Sequence, residues 1–342
     1  MEHEIRKTPL YHKALGCMLG GVIGDVLGTP TEGHDYQQIE ESLGWVVDFQ
    51  GEGTDDTVMK MLLAKALVQT DGYATLDDWA RVWLSDWDCI FGSRRDKFFI
   101  SVLHTAEKLR YHAVPRMAAL GNMPSSSSAM CISPVGIVNA CQPRQAARQA
   151  YDLASLIHQY DVGFCQDGAA AMAAAVAEAM CPDTTIASVL AAAQEAILPL
   201  SGQEMRDAIE RVLQVARDTG EYGPFRETIY RHRDRYFYPL ICDSRETIPL
   251  SLALLYLAEG DMERSVIYGA NFGRDADTIA SMCGAVSGAL GGVSAIRTDW
   301  IQRITANASV DQEELAAKLS RVALIKSQRE CEEHSLLKRL TG

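Results

Sequence analysis

The stretch 167–180 reads DGAAAMAAAVAEAM. Alanine has the highest helix propensity of any residue, and side chains this small let neighbouring helices approach closely in a core. Helical periodicity continues on both sides. Apolar spacing predicts helices over residues 14–26, 58–68, 76–84, 94–109, 184–196, 203–218, 247–257, 262–272, 278–290 and 312–326. Residues 45–49 are the best strand candidate, and they stand isolated. The expected fold class is therefore all-α, a compact multi-helix bundle. The longest Pro/Gly/Ser-rich stretch, 121–128, is too short for more than a loop. Residues 1–342 are read as a single domain, with a motif-bearing core over roughly 14–292 and a C-terminal helical extension over 293–342.

Charge and cysteine usage narrow the class. A formal net charge of −13 argues against nonspecific nucleic-acid binding, which needs Lys and Arg to neutralise phosphates. A local pocket for a phosphate-bearing small ligand stays open. The nine cysteines include no C-x-x-C pair, and Cys17, Cys141, Cys165 and Cys283 sit in apolar surroundings. That pattern suits reduced core thiols in a cytoplasmic protein. The apolar run 14–27 is interrupted by Gly16, Gly20, Gly21, Gly24 and Asp25, so neither a signal peptide nor a membrane span is expected.

Two short acidic segments carry the chemistry. Gly53-Thr54-Asp55-Asp56-Thr57 and Gly273-Arg274-Asp275-Ala276-Asp277-Thr278 each follow a glycine and open a helical run. Thr and Asp are also preferred helix caps, because their oxygens accept from free N–H groups of the first turn. Capping needs one acid, however, and each segment supplies two. Brought together, they offer four carboxylates and two hydroxyls, an all-oxygen shell suited to Mg²⁺ or Mn²⁺. From the residues alone, a pair of caps and a shared metal site both remain open.

A third element is the glycine-rich segment 20–28, followed by Glu32 in a Pro-containing loop. The order G-D-x-x-G-x-x-x-E, then G-T-D-D-T, then G-x-D-A-D-T-I-A-x-x-x-G-A resembles the ADP-ribosylglycohydrolase family. That family includes the ADP-ribosyl-acceptor hydrolases and dinitrogenase reductase-activating glycohydrolase. The likeness spans roughly residues 14–292. It implies an all-helical hydrolase with a centre of two divalent cations, Mg²⁺ or Mn²⁺. Thr54, Asp55, Asp56, Asp275, Asp277 and Thr278 would be its ligands, and Glu32 the acidic residue beside the scissile bond. The implied catalytic carboxyls are Glu32, Asp56 and Asp275, with the choice of general base among them open. Asp25 would support the same motif at the substrate side.

Substrate contacts are expected from Gly121, Ser125 and Ser127 in the loop 121–128, from Gly136, and from His158, each with a plain structural alternative. Arg274 stands where many family members carry Gly. It could bind a phosphate or ribose hydroxyl, or salt-bridge a neighbouring acid. The implied partner is an ADP-ribosylated protein or small ribosyl substrate. A nucleoside or nucleotide hydrolase, and a non-catalytic member of the fold, are the competing readings. The charge-dense stretch 226–235 is read as a solvated face.

Overall fold

The computed structural model describes residues 2–49, 51–307 and 310–340, and among them the secondary structure is helical, with no strand. The helix Pro9–Gly28 runs through the centre. Thr8 caps it by accepting the Tyr11 N–H (3.2 Å), and Pro9 occupies the first turn, where a missing N–H costs nothing. By length and hydropathy the segment Pro9–Thr31 could cross a membrane, yet 89% of its apolar 18-residue window is buried inside the protein.

What buries it is a stripe of glycines. Gly16, Gly20, Gly24 and Gly28 recur every fourth residue and so share one helix face. They meet Gly288, Gly284, Ala280 and Ala276 of the helix Ala276–Gly291 in antiparallel order. A Cβ on Gly20 would sit 2.1 Å from the Gly284 carbonyl oxygen, and one on Gly24 2.0 Å from that of Ala280. The two backbones therefore touch, and only glycine permits it. An alanine there would cost about 1–3 kcal/mol by overpacking. The pairing has a functional consequence. It sets the C-terminal end of the first helix, with Asp25 and Glu32, beside the N-terminal end of the other, with Asp275 and Asp277.

The remaining helices wrap this pair. Asp55–Gln69, Ser133–Val138, Phe164–Ala179, Ser244–Leu257, Met262–Ala270 and Gln312–Lys338 pack around it. The segment read as an extension belongs to the same core. Trp300 and Leu319 are fully buried in it, and only the last turns of Gln312–Lys338 stand out into solvent.

Several expectations differ from the structure. The helix expected over 94–109 begins at Ile100, because Phe98 and Phe99 are extended after the short turn Arg95–Lys97. Residues 45–49 form no ladder. Instead the Asn271 side chain takes the place of a neighbouring strand, accepting the Val46 N–H (2.8 Å) and donating to its carbonyl (2.6 Å). Ser133–Val138, Pro143–Ala154 and Tyr222–Arg231 are helices that periodicity did not single out. The stretch 226–235 is no uniform solvated face. Arg226 is buried, its guanidinium 4.2 Å from the Tyr36 ring centroid, and it donates to the Asn271 carbonyl (3.1 Å) and to Glu40.

Candidate metal centre

The two acidic segments meet. Thr54 Oγ1 lies 3.4 Å from Asp277 Oδ2, and Thr278 Oγ1 donates to Asp56 Oδ2 (3.1 Å), so each hydroxyl faces the other segment's carboxylate. Glu32, Asp275 and Asp277 present carboxylate oxygens within 4.8 Å of one another. Asp56, Asp275 and Asp277 are buried, while Glu32 stands on the open side. Each Asp pair lies at a helix start: Asp55 and Asp56 open Asp55–Gln69, and Asp275 and Asp277 flank the start of Ala276–Gly291. There the free N–H groups and the helix dipole favour negative charge. Neither segment serves as a simple cap, since the side chains of Thr54 and Asp275 make no capping bond.

Beneath the cluster, Asp25 pins the turn. Its carboxylate accepts the Thr54 N–H (3.0 and 2.9 Å), the Thr54 hydroxyl (2.9 Å), the Thr57 N–H (3.1 Å) and the Thr57 hydroxyl (2.5 Å). Asp25 is fully buried, and both oxygens are engaged. Its bonds orient Thr54 and the following aspartates.

The charge of this cluster is not balanced from within. Lys60, fully buried, is the ammonium behind it; it donates to Ser281 Oγ (3.2 Å) and acts electrostatically on Asp25 and Asp56. Lys97 acts on Glu32 at the rim. Burial, then mutual repulsion, hold Asp56 and Asp275 well above the usual carboxylate range, with Asp25 and Asp277 the respective leading neighbours. Asp277 is raised likewise by burial and by Asp56. Asp55 is pushed up to about 8 by burial and by Asp25. Asp56 Oδ1 is buried without a hydrogen-bond partner. Orphaned oxygens on crowded, buried carboxyls are what a divalent cation relieves, because it supplies the missing opposite charge and takes lone pairs directly. The donor set is entirely oxygen, which fits a hard cation.

Comparison with known proteins decides the family. The ADP-ribosylglycohydrolase family model matches residues 6–331. This chain belongs to the ADP-ribosylglycohydrolase family. Among relatives, the uncharacterized protein YegU of Escherichia coli is 27% identical over 309 residues, covering 83% of this chain and 89% of that protein. The human ADP-ribosylhydrolase ARH3 is 24% identical over 326 residues, covering 84% of this chain and 87% of its own length. A solved structure described as an ADP-ribosylglycohydrolase-related protein complex superposes with a TM-score of 0.67 at 21% identity, over 92% of this chain and 99% of that one. The all-α fold is thus that of the ADP-ribosylglycohydrolases.

Most residues expected at the substrate side are engaged elsewhere. His158 is fully buried, with Nε2 3.0 Å from Ser125 Oγ and Nδ1 2.9 Å from Ser128 Oγ; burial pushes its pKa down to about 3, so it is neutral. Ser125 donates to Ser127 Oγ (2.9 Å), and both are buried. Gly136 is packing: a Cβ there would lie 2.5 Å from Val176 Cβ. Gly121 sits exposed at φ +78°, lining an open groove of about 660 Å³ with Phe91, Arg95, Ile100, His104, Arg110 and Met123. Arg274 makes the salt bridge, and with a glutamate: Nε to Glu246 Oε1 (2.7 Å) and Nη2 to Oε2 (2.9 Å). Its φ of +62° is the left-handed conformation natural to glycine, which costs another residue about 1–2 kcal/mol.

The residues that reach the cluster unforeseen are Ser126, Lys60 and Cys242. Ser126 Oγ donates to Asp275 Oδ2 (3.1 Å), and its N–H to the Cys242 carbonyl (2.7 Å). Burial and Asp275 raise the Cys242 thiol. Lys60 had a signal, a lone charge four residues after Asp56 inside the apolar run 58–63; four consecutive serines offer none that picks out Ser126.

Proposed function

We propose that this chain is a divalent-cation-dependent glycohydrolase that cleaves the C1 bond of ADP-ribose joined to a protein side chain or small acceptor. One observation carries the reading: two acidic segments 220 residues apart (275 − 55) interlock around a buried, unpartnered Asp56 oxygen. Thr54, Asp55, Asp56, Asp275, Asp277 and Thr278 would hold two cations, Mg²⁺ or Mn²⁺. When bound, such cations supply Lewis acidity that orients ribose hydroxyls and activates water.

The protein's own residues do the rest. Asp25 fixes the Thr54–Thr57 turn, and Ser126 fixes the Asp275 carboxylate. Glycosidic cleavage develops positive charge at C1, and the surrounding carboxylates stabilise it. Of the three candidate carboxyls, we assign the uptake of a proton from the incoming water to Glu32, which stands on the open side of the cluster. The groove at Gly121, about 660 Å³, has room for part of a ligand larger than a nucleoside. Arg95, over the Phe91 ring, and Arg110, over the Trp87 ring, offer cations suited to phosphate. Arg274 is spent on Glu246. Free cysteines suit a cytoplasmic setting.

The test is a hydrolysis screen with Mg²⁺ or Mn²⁺ against ADP-ribosyl-arginine peptide, ADP-ribosyl-serine peptide, O-acetyl-ADP-ribose and nucleosides. Release of ADP-ribose, abolished by chelator and by Asp55→Ala, is expected. Cleavage of nucleosides alone would overturn the reading of the substrate.

A further inference from the structure

Arg274 joins three walls of the acidic centre. Its backbone N–H donates to the His34 carbonyl (2.8 Å), and its carbonyl accepts the Gly33 N–H (2.7 Å), so it zips to the loop that carries Glu32. Its guanidinium reaches the opposite way. Beyond the two bonds to Glu246, Nη2 donates to the Tyr238 carbonyl (2.8 Å), and the group lies 4.6 Å from the Phe237 ring centroid. Glu246, itself buried, also accepts the Tyr238 N–H (2.8 Å). Both polar groups of one loop residue are therefore held by a single ion pair. Four residues on, the Cys242 carbonyl accepts the Ser126 N–H, and Ser126 holds Asp275. Ser244 Oγ closes the wall on the Ser125 carbonyl (2.7 Å).

We infer that Arg274 is a positioning residue, a strut that holds the segment 237–242 as a rigid wall beside Asp275 and never touches the ligand. The left-handed backbone fits this role. It lets the chain turn from the Glu32 loop into Asp275 while the side chain leaves in the direction of Glu246. A planar fork with two parallel bonds fixes direction as well as distance, which an ammonium cannot do.

The inference rests on the proposed activity for its kinetic arm, and its structural arm is independent of it. The variants are Arg274→Gly, Arg274→Lys, Glu246→Gln and the Arg274→Gly/Glu246→Gln pair. Glycine adopts the local backbone freely, so Arg274→Gly removes the fork without breaking the turn. Amide hydrogen exchange in 237–243 is expected to quicken by about tenfold or more in Arg274→Gly and Glu246→Gln. Lysine should not restore protection. KM for the ADP-ribosyl substrate should rise by about tenfold with kcat changed less than about threefold, the mark of lost uniform binding by a loosened wall. The double variant should match either single one, because both remove the same link.

Two results would overturn the strut. One is a raised KM in Arg274→Gly with exchange in 237–243 unchanged, which would place the guanidinium on the substrate. The other is additivity in the double variant. If the wild-type protein hydrolyses nothing in the panel, the proposed function fails, and exchange alone still decides the strut.

Discussion

Two buried polar clusters lie side by side in this fold and are built on opposite terms. The first holds Asp25, Asp55, Asp56, Asp275 and Asp277, with Glu32 at its rim. Its charges have one sign, the nearby buried ammonium is Lys60, and Asp56 Oδ1 has no partner. The second holds Asn122, Ser125, Ser127, Ser128 and His158. It is neutral and closed: Asn122 Nδ2 donates to Thr105 Oγ1 (2.8 Å) and Ile157 O (2.8 Å) and lies 3.2 Å from Ser101 O, and both His158 nitrogens face serine hydroxyls. Both would look like a site by residue type. A polar cluster that satisfies itself holds the fold, whereas one with unmatched charge calls for a ligand.

The strongest break of this comparison is Asp277→Ala. Removing a carboxyl from the first cluster also removes repulsion, so the cation-free protein should melt no lower than wild type. Wild type should gain about 3 kcal/mol when Mg²⁺ or Mn²⁺ is present at a hundredfold its Kd, read as a rise in Tm. The variant should lose that rise and more than about 100-fold of the hydrolysis, since even outer partners of a metal ligand are worth 10–100-fold. A variant that keeps the full cation-induced rise would show that the cluster holds charge for some other reason.

His158→Gln is the corresponding break of the second cluster, and its effect should fall on stability. Leaving one serine hydroxyl unpaired in a buried site costs about 1–3 kcal/mol, with cation affinity unchanged. The pH dependence carries a definite sign. The folded-state pKa of about 3 lies below the ordinary 6.5, so between them the unfolded chain holds a proton that the folded one refuses. This contribution is present above 6.5 and is lost as pH falls, by about 1 kcal/mol per pH unit. Denaturant titrations at pH 7 and pH 5 should show a smaller difference in the variant than in wild type. Equal slopes would mean that His158 is not the group refusing the proton.

What was legible in the sequence follows the same division. Periodicity revealed the long helices, because burial of one face leaves a pattern at 3.6 residues. It missed Pro143–Ala154 and ran 94–109 as one helix, where Phe98 and Phe99 stay extended against their apolar character. The acidic segments were legible because two carboxyls per turn exceed what a cap requires. For Asp25, Ser125, Gly136 and His158, expected on the substrate side, the sequence shows residue type and not where a side chain's bonds go; here they go to the Thr54–Thr57 turn, to the serine loop and, for Gly136, to packing on Val176. The glycine stripe was read as an interruption of an apolar run and as part of a motif, not as a packing face. Its contact partner lies about 260 residues away, and only the pairing of Gly16, Gly20 and Gly24 with Gly288, Gly284 and Ala280 explains it.

The smallest expected effect sharpens the boundary between the clusters, which runs through the serine loop itself. Ser126 and Ser125 are adjacent and both buried, yet the Ser126 hydroxyl points to Asp275 (3.1 Å) and the Ser125 hydroxyl lies against Ser127 and His158. Ser126→Ala removes one hydrogen bond to a carboxylate, and a cation can take over the freed lone pair. Its stability cost should therefore stay near 1 kcal/mol, and cation affinity should fall about tenfold, the low end for an outer partner of a ligand. Ser125→Ala should lower stability by a similar amount and leave cation affinity untouched. Isothermal titration of both variants with Mn²⁺ reads the difference. If both lose affinity alike, the serine loop acts as one unit and the closed cluster extends into the open one. If only Ser126→Ala does, a single rotation between adjacent residues marks where structural polarity ends and ligand chemistry begins.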